Sequence, residues 1–150
     1  MNALDPEVSR KLAKLPPRDK IILLQSIMEK MPQIDPPLEH LFATGSYARR
    51  ILLPKGSLVV GKIHKHDHLN FIMSGRVSVF TEFGTESFEA PHVFVSLPGT
   101  KRVVLAHEDT VWITVHATKE KDLAKIEQEV IAKTYDDLDA LEHEAQGVLP

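Results

Sequence analysis

Four polar side chains at alternating positions mark a segment whose spacing could support chemistry. Lys62, His64, His66 and His68 are each separated by a single residue in this 150-residue chain. On a β-strand, alternate residues point to the same face, so these four groups would share one surface. Three imidazoles and an ammonium group make a poor core surface, but they suit a metal ion, an anion or a wet pocket. We therefore predict the functional site on this face.

Glycines at fixed distances from these residues complete a longer pattern. The stretch from Gly56 to Gly75 resembles the first signature motif of the cupin family: glycine, five residues, His-x-His, three or four residues, glutamate, six residues and glycine. Both glycines and every spacing agree, and the ligand positions of the motif fall on Lys62, His64 and His68. A register displaced by two residues would need glycine at positions 58 and 77, which are leucine and valine.

The second cupin signature reads proline, one residue, glycine, two residues and histidine, and it has a partial counterpart at residues 97–102. Gly99 agrees, Pro98 is displaced by one position, and Arg102 stands where the family's fourth metal ligand would be. The resemblance implies that a metal-binding member uses three histidines and a glutamate, yet Lys62 and Arg102 occupy two of these four places. Ammonium and guanidinium groups do not ligate a divalent ion at neutral pH.

Two interpretations of the predicted site stay open. In the first, two cations and the histidines give a metal-free barrel a positive cavity for a small anion, and the predicted ligand-binding residues are Lys62, His64, His68, Arg102 and Asn70. In the second, His64 and His68 hold a divalent Fe, Mn, Zn or Ni ion, and His66, His116 or Asp67 completes the site. Two histidines alone are too few, because catalytic metals usually take three protein ligands.

The elements that would position these residues are mainly strands. Short segments rich in valine, isoleucine and phenylalanine recur about every 8–12 residues, separated by glycine or proline turns. This spacing is typical of an antiparallel sandwich or barrel. Together with the motifs, it predicts a mainly β chain with the cupin double-stranded β-helix, a jelly-roll barrel, over residues 41–118.

Helical segments flank the predicted barrel. Residues 1–40 are predicted as an N-terminal helical arm, because apolar residues between Ile21 and Met31 recur at helical spacing after a Pro-Pro break. Residues 119–150 are predicted as an acidic C-terminal helical segment. The apolar stripe of the arm exceeds what one small barrel would cover, so we expect a homodimer with helix or strand exchange across a two-fold axis.

A narrower set of motifs resembles small cupin-domain proteins of tailed phages and prophages. These motifs lie at residues 61–64, 68–70, 74–77, 98–103 and 108–116. The helical arm and the acidic C-terminal segment fit the same group. The resemblance implies a source and a fold, with no settled biochemical activity. A phage-encoded chain of this kind is expected in the host cytoplasm, or in the virion if it is part of the particle.

Composition excludes several other classes of protein. The chain has no cysteine, which excludes disulfide frameworks, thiolate zinc sites and cysteine nucleophiles. Its net charge of -3 argues against nucleic-acid binding, and no apolar run approaches the roughly 20 residues that span a bilayer. The polar, proline-broken N-terminus is unlike a signal peptide, so we expect a cytoplasmic protein that contacts neither nucleic acid nor membrane.

Three functions are compatible with these observations. The favoured one is a phage- or prophage-type cupin-domain protein that binds a small anionic ligand in the barrel pocket without catalysis. The alternatives are a metal-dependent enzyme of the isomerase or dioxygenase type, and a structural or assembly protein of the virion. Whether the chain is an enzyme stays open, but no catalytic triad or nucleotide-binding motif is legible, which favours a binding protein.

Overall fold

Two helices precede the barrel. The computed structural model describes residues 5–148, with side chains described as far as residue 143. Helices α1 (Pro6–Lys14) and α2 (Pro17–Met28) are separated by the predicted proline break. The side chain of Asp5 caps α1 by accepting a hydrogen bond of 2.7 Å from the Glu7 amide. Proline stands in the first turn of both helices, where backbone N–H groups have no partner within the helix. Its missing N–H therefore removes no hydrogen bond.

Eleven strands occur within the described residues. In chain order they are β1 (Leu38–Ala43), β2 (Ser46–Leu53), β3 (Leu58–Val60), β4 (Ile63–His64), β5 (His68–Ser74), β6 (Arg76–Thr81), β7 (Gly84–Glu89), β8 (His92–Ser96), β9 (Val103–Ala106), β10 (Thr110–Ala117) and β11 (Ile131–Ala132). The first strand therefore begins three residues before the predicted start of the barrel.

The strands form two large antiparallel sheets and one small one. The five-stranded sheet has the order β1-β2-β10-β5-β8, the four-stranded sheet has the order β3-β9-β6-β7, and β11 pairs with β4. Neighbours in the two large sheets are mostly distant in the sequence, as in a jelly roll. The chain is therefore mainly β with helices at both ends, as the sequence predicts.

The hydrophobic core lies between the two large sheets. Alternate residues of their strands point inward, and the buried members are Leu53, Ile72, Val77, Val79, Val104, Ala106 and Trp112. Full burial of an aliphatic side chain of this size contributes roughly 1.5–3 kcal/mol.

Gly75, the last glycine of the first motif, joins β5 to β6 in a turn where a residue with a side chain would be strained. Its φ of +89° lies in the left-handed region, which side chains disfavour. A Cβ atom at this position would clash with Oγ1 of Thr110 and the carbonyl oxygen of Asp109. The glycine therefore lets the β5–β6 turn lie directly against the start of β10, the strand beside β5.

The C-terminal segment is only partly helical, which corrects the prediction for residues 119–150. Helices α3 (Leu123–Val130) and α4 (Tyr135–Val148) are separated by β11. This strand pairs with β4, and the register places Ile131 opposite His64. The apolar run from Val130 to Ala132 is buried or half-buried, which explains why the helix gives way to a strand there.

The N-terminal arm docks on its own chain. Ile21 of α2 is fully buried. Arg18 donates hydrogen bonds of 2.8 Å to Glu82 in the β6–β7 turn and to Asp139 of α4, and its guanidinium covers the Tyr135 ring at 4.5 Å. The arm is therefore held by both the barrel and the last helix. No helix within residues 5–148 has the length and apolar character to cross a membrane.

Candidate functional site

Three histidines from three strands meet inside the barrel. His64 of β4, His68 of β5 and His116 of β10 form the histidine cluster, in which ring centres lie 4.4 Å (His64 to His68), 4.7 Å (His68 to His116) and 5.5 Å (His64 to His116) apart. Two of these residues were predicted for the site from the first motif, and His116 was predicted as a further metal ligand. The structure brings all three together.

Hydrogen bonds of the backbone fix the position of His64. Its carbonyl accepts a bond of 2.7 Å from the Gly99 amide, and its own amide donates one of 3.0 Å to the carbonyl of Thr100. The next residue, Lys65, donates its amide to Val130 at 2.8 Å. The loop of the second motif and the C-terminal segment therefore hold β4 from both sides.

Arg102 lies beside the histidine cluster and is only 9% exposed. Its guanidinium donates a hydrogen bond to Oγ of Ser96, lies 3.4 Å from Nε2 of His68 and covers the Trp112 ring at 5.0 Å. Within the described part of the chain, no carboxylate forms an ion pair with it. A buried positive charge therefore lies in the site without a negative partner from the described residues.

Asn70 supports this arrangement from behind. It is fully buried, its Nδ2 donates a hydrogen bond of 2.8 Å to Ser96, and its Oδ1 accepts one of 3.0 Å from Nε1 of Trp112. Because both ends of the amide are engaged, Asn70 positions the groups that contact Arg102. It does not line the cavity described below, although the sequence predicted it as a ligand-binding residue.

The histidine cluster is uncharged at neutral pH. Burial, followed by the nearby Arg102 charge, lowers the pKa from 6.5 to about 2 for His64, about 3 for His68 and about 4 for His116. Burial also lowers the pKa of Arg102, to about 10, so its guanidinium stays protonated. The site therefore combines one cation with three neutral imidazoles, each of which has one N–H donor and one acceptor nitrogen.

A cavity of about 440 Å³ opens next to these groups. Arg102, His64 and His116 form part of its polar wall. Much of the remaining wall is apolar, and that part includes Ile51, Leu53, Val59, Val104, Ile126 and Val130. Small-molecule sites are typically cavities of roughly 300–1,000 Å³ with mostly apolar walls and a few polar groups, and this cavity has that composition.

The sequence analysis missed several residues that line this cavity. Tyr47 and Arg49 of β2 belong to it, and the Tyr47 ring stacks on that of His116 with centres 6.3 Å apart. Helix α3 contributes Ile126 and Glu127. A signal for α3 was present, because its apolar residues recur at helical spacing, but nothing local indicated that they face the barrel pocket.

Lys62 and His66 do not share a strand face with His64 and His68, which corrects the prediction that all four side chains point to one surface. Strand β3 ends at Val60, β4 contains only Ile63 and His64, and residues 65–67 are not in a strand. As a result, His66 is exposed and outside the cluster. The Lys62 side chain is 63% exposed at the cavity rim, where it forms an ion pair with Glu127 of α3.

The residues present do not fit a metal centre of three or more protein ligands. Among the described residues, no group of three or more histidine, aspartate or glutamate side chains could hold a metal ion. The His64 and His116 rings are stacked with planes only 13° apart, so their in-plane lone pairs do not converge on one point. The Arg102 guanidinium also faces Nε2 of His68, where it would repel a divalent cation.

Solved structures of other proteins share this fold. KdgF from Halomonas sp. matches with a TM-score of 0.50 and 17% identity, covering 61% of this chain and 86% of that chain. A cupin superfamily protein from Desulfitobacterium hafniense matches with a TM-score of 0.50 and 10% identity, covering 69% and 88%. An RmlC-like cupin family protein from Methanocaldococcus jannaschii matches with a TM-score of 0.49 and 15% identity, covering 60% of this chain and 86% of that chain.

At these identities the likeness concerns the fold alone. The matched structure from Desulfitobacterium hafniense is a cupin superfamily protein, and this chain has the same jelly-roll fold. No protein-family model matches the sequence, and neither does any curated protein. The chain is therefore a cupin-fold protein, and its chemistry must be argued from its own residues.

Proposed function

We propose that the barrel cavity binds a small molecule with an anionic group, such as a carboxylate, and an apolar body, without catalysing a reaction. The observation that supports this proposal is the buried Arg102 guanidinium, which lies at the cavity wall without an ionic partner from the described residues. Burial of an unpaired charge is costly, and a bound anion would offset that cost. Arginine also presents paired N–H groups that match a carboxylate.

The apolar walls indicate the rest of the ligand. Side chains such as Ile51, Val104 and Ile126 surround the space next to the cation. An apolar body removed from water there gains roughly 25 cal/mol for each Å² buried. A fully polar anion would leave these walls without a partner, so an amphipathic acid fits the cavity better than a sugar phosphate or free phosphate.

The low basicity of the histidine cluster favours binding over catalysis. A general base works best when its pKa is near the working pH. Imidazoles whose pKa values lie between about 2 and 4 accept protons poorly at neutral pH. We therefore assign His64 and His116, which line the cavity, as neutral hydrogen-bonding partners for the ligand, while His68 orients Arg102. We leave metal-dependent isomerase or dioxygenase chemistry as the less supported alternative.

A phage or prophage source remains part of the proposal. It is supported by the motifs at residues 61–64, 98–103 and 108–116, which resemble phage cupin-domain proteins. In this setting the module would capture a host metabolite in the cytoplasm of the infected cell. Detection of the chain in purified particles would instead favour a structural or assembly role in the virion.

Calorimetric titration with hexanoate and its neutral counterpart hexanamide tests the proposed binding. We expect hexanoate to bind at least about tenfold more tightly than hexanamide, because only the acid pairs with Arg102. Arg102→Gln should abolish this preference. Arg76→Gln, which removes an exposed cation on β6, is the matched control and should preserve it.

Several outcomes of this titration would overturn the proposal. Equal affinity for the acid and the amide would show that charge does not matter. An unchanged affinity for hexanoate in Arg102→Gln would show that the anion binds elsewhere. No detectable binding of hexanoate at about 10 mM would remove the cavity as a site for short amphipathic acids.

A further inference from the structure

One row of residues that crosses the outer face of the five-stranded sheet is entirely apolar. The strand register aligns one residue from each of the five strands in a row that contains Leu41, Ala48, Val115, Leu69 and Val95. A sheet face in contact with water normally has polar residues at most of these positions. This row has none.

The neighbouring positions extend the apolar surface. The adjacent row contains Glu39, Arg50, Ile113, Phe71 and Val93. Leu52 and Met73 lie beyond it on β2 and β5, and Leu97 follows the end of β8. The apolar residues at these positions are called the outer patch. They are Leu41, Ala48, Leu52, Leu69, Phe71, Met73, Val93, Val95, Leu97, Ile113 and Val115.

The outer patch is open in the single chain. Seven of its side chains are between 37% and 56% exposed: Leu41, Leu52, Leu69, Met73, Val93, Val95 and Leu97. The described helices pack elsewhere, with α2 against β6 and both α3 and α4 against β11. The apolar stripe on the arm, from which the sequence predicted dimerisation, is therefore a weaker candidate interface than this sheet face. Ile21 of that stripe is buried within its own chain.

We propose that a second copy of this chain packs on the outer patch, sheet face against sheet face, across a two-fold axis. The seven side chains expose roughly 600 Å² of apolar surface, at the upper end of the largest patch on a typical monomer. With the half-buried Phe71, Val111 and Ile113, the face approaches the roughly 800 Å² per partner of a standard stable interface.

The charges on this face favour a second copy over other partners. Glu39 and Arg50 are the charged residues in the two rows, and they lie 3.7 Å apart as an ion pair. Two copies brought face to face would therefore not repel each other. A membrane surface or a nucleic acid would need an excess of cations, which a balanced pair does not provide.

The position of β10 predicts which residues meet at the axis. It is the middle strand of the sheet, so Ile113 lies near the centre of the outer patch. In a two-fold interface the same patch is used by both subunits, and residues near the axis contact their own equivalents. The anion cavity is lined by residues of the opposite face of this sheet, such as Tyr47, Arg49 and Trp112.

The test is the mass in solution of the full chain and of two matched variants. Sedimentation equilibrium between about 1 and 100 µM should give twice the chain mass of 16.8 kDa. Leu69→Lys places a charge within the outer patch and should give the monomer mass. Phe83→Lys changes an even more exposed apolar residue on the β6–β7 turn, outside the patch, and should remain a dimer.

A second measurement separates loss of contact from loss of folding. Leu69→Lys should keep the far-ultraviolet circular dichroism of the parent chain. Ile113→Cys, introduced into a chain that has no cysteine, should be joined to a dimer by a short bis-maleimide, whereas Phe83→Cys should not. A monomeric parent chain at 100 µM, a dimeric Leu69→Lys, or equal cross-linking of the two cysteine variants would overturn the proposal.

Discussion

The Arg102 guanidinium lies 3.4 Å from Nε2 of His68, so a permanent cation faces the lone pair of a neutral imidazole. The other ring nitrogen, Nδ1, lies 3.3 Å from the carbonyl oxygen of His66. This network assigns the proton of the ring to Nδ1 and leaves Nε2 as the acceptor. His68 therefore helps to orient the arginine and cannot offer the same lone pair to a metal ion.

The geometry of the guanidinium should matter as well as its charge. Arg102→Lys keeps a cation but loses the paired N–H groups, so we expect hexanoate affinity to fall about five- to tenfold. Lys62→Gln removes the exposed cation at the rim and should change the affinity less than about threefold. Titration calorimetry of both variants checks this order, and a larger loss in Lys62→Gln would contradict it.

The histidine cluster should make the fold sensitive to acid. Folded-state pKa values lie below the ordinary value of 6.5, so the unfolded chain binds more protons as pH falls. The stability that depends on neutral histidines is therefore fully present above pH 6.5, and it is lost progressively as pH falls toward 4. His68 and His116 should each reduce the free energy of unfolding by at most about 1.4 kcal/mol between pH 7.5 and 5.5.

Urea unfolding at these two pH values measures the effect. His116→Phe should remove part of the pH dependence, because it takes one depressed pKa out of the folded state. A parent chain that is equally stable at both pH values would contradict the burial of neutral imidazoles.

The two glycines of the first motif should differ in their tolerance to substitution. Gly75→Ala combines a left-handed φ with a clash against Thr110, and we expect a loss of about 2–4 kcal/mol. Gly56→Ala has a similar φ of +83° but open space around the added Cβ, so the expected loss is about 1–2 kcal/mol. Denaturant unfolding compares them, and equal losses would show that the close approach to Thr110 is not what selects glycine.

Divalent ions should have little effect on the protein. Chelator treatment of untagged protein should leave hexanoate affinity unchanged, and stoichiometric Fe, Mn, Zn or Ni should shift Tm by less than about 2 °C. The stacked His64 and His116 rings and the cation at His68 are the physical reason. A metal-dependent rise in Tm that disappears in His64→Gln would instead support the alternative of a metal-dependent enzyme.

Local patterns predict those parts of the site that depend on spacing along the chain. Strand alternation and turn glycines predict the barrel, and the two motifs identify His64, His68 and Arg102 correctly as neighbours. The same alternation fails for Lys62 and His66, because the chain leaves the strand on either side of β4. Alternation holds only while a strand continues. Gly61 stands at the first break, but no glycine or proline lies between His64 and His68 to mark the second.

Contacts between distant segments could not be predicted in this way. Tyr47 meets His116 because β2 pairs with β10, and α3 covers the cavity because β11 pairs with β4. Both pairings join residues that are far apart in the sequence, and single-sequence periodicity contains no information about such partners. The outer patch has the same origin, since its rows exist only once the strand order is known.

A crystal structure of the protein with 6-bromohexanoate is the sharpest test of Arg102 as the anion site. We expect the carboxylate within hydrogen-bond distance of the Arg102 guanidinium, and the anomalous signal of bromine among the apolar walls near Ile126. A carboxylate bound at the rim by Lys62 or Arg49, with the bromine in solvent, would contradict it. So would a cavity that contains no bromine signal at a concentration where calorimetry detects binding.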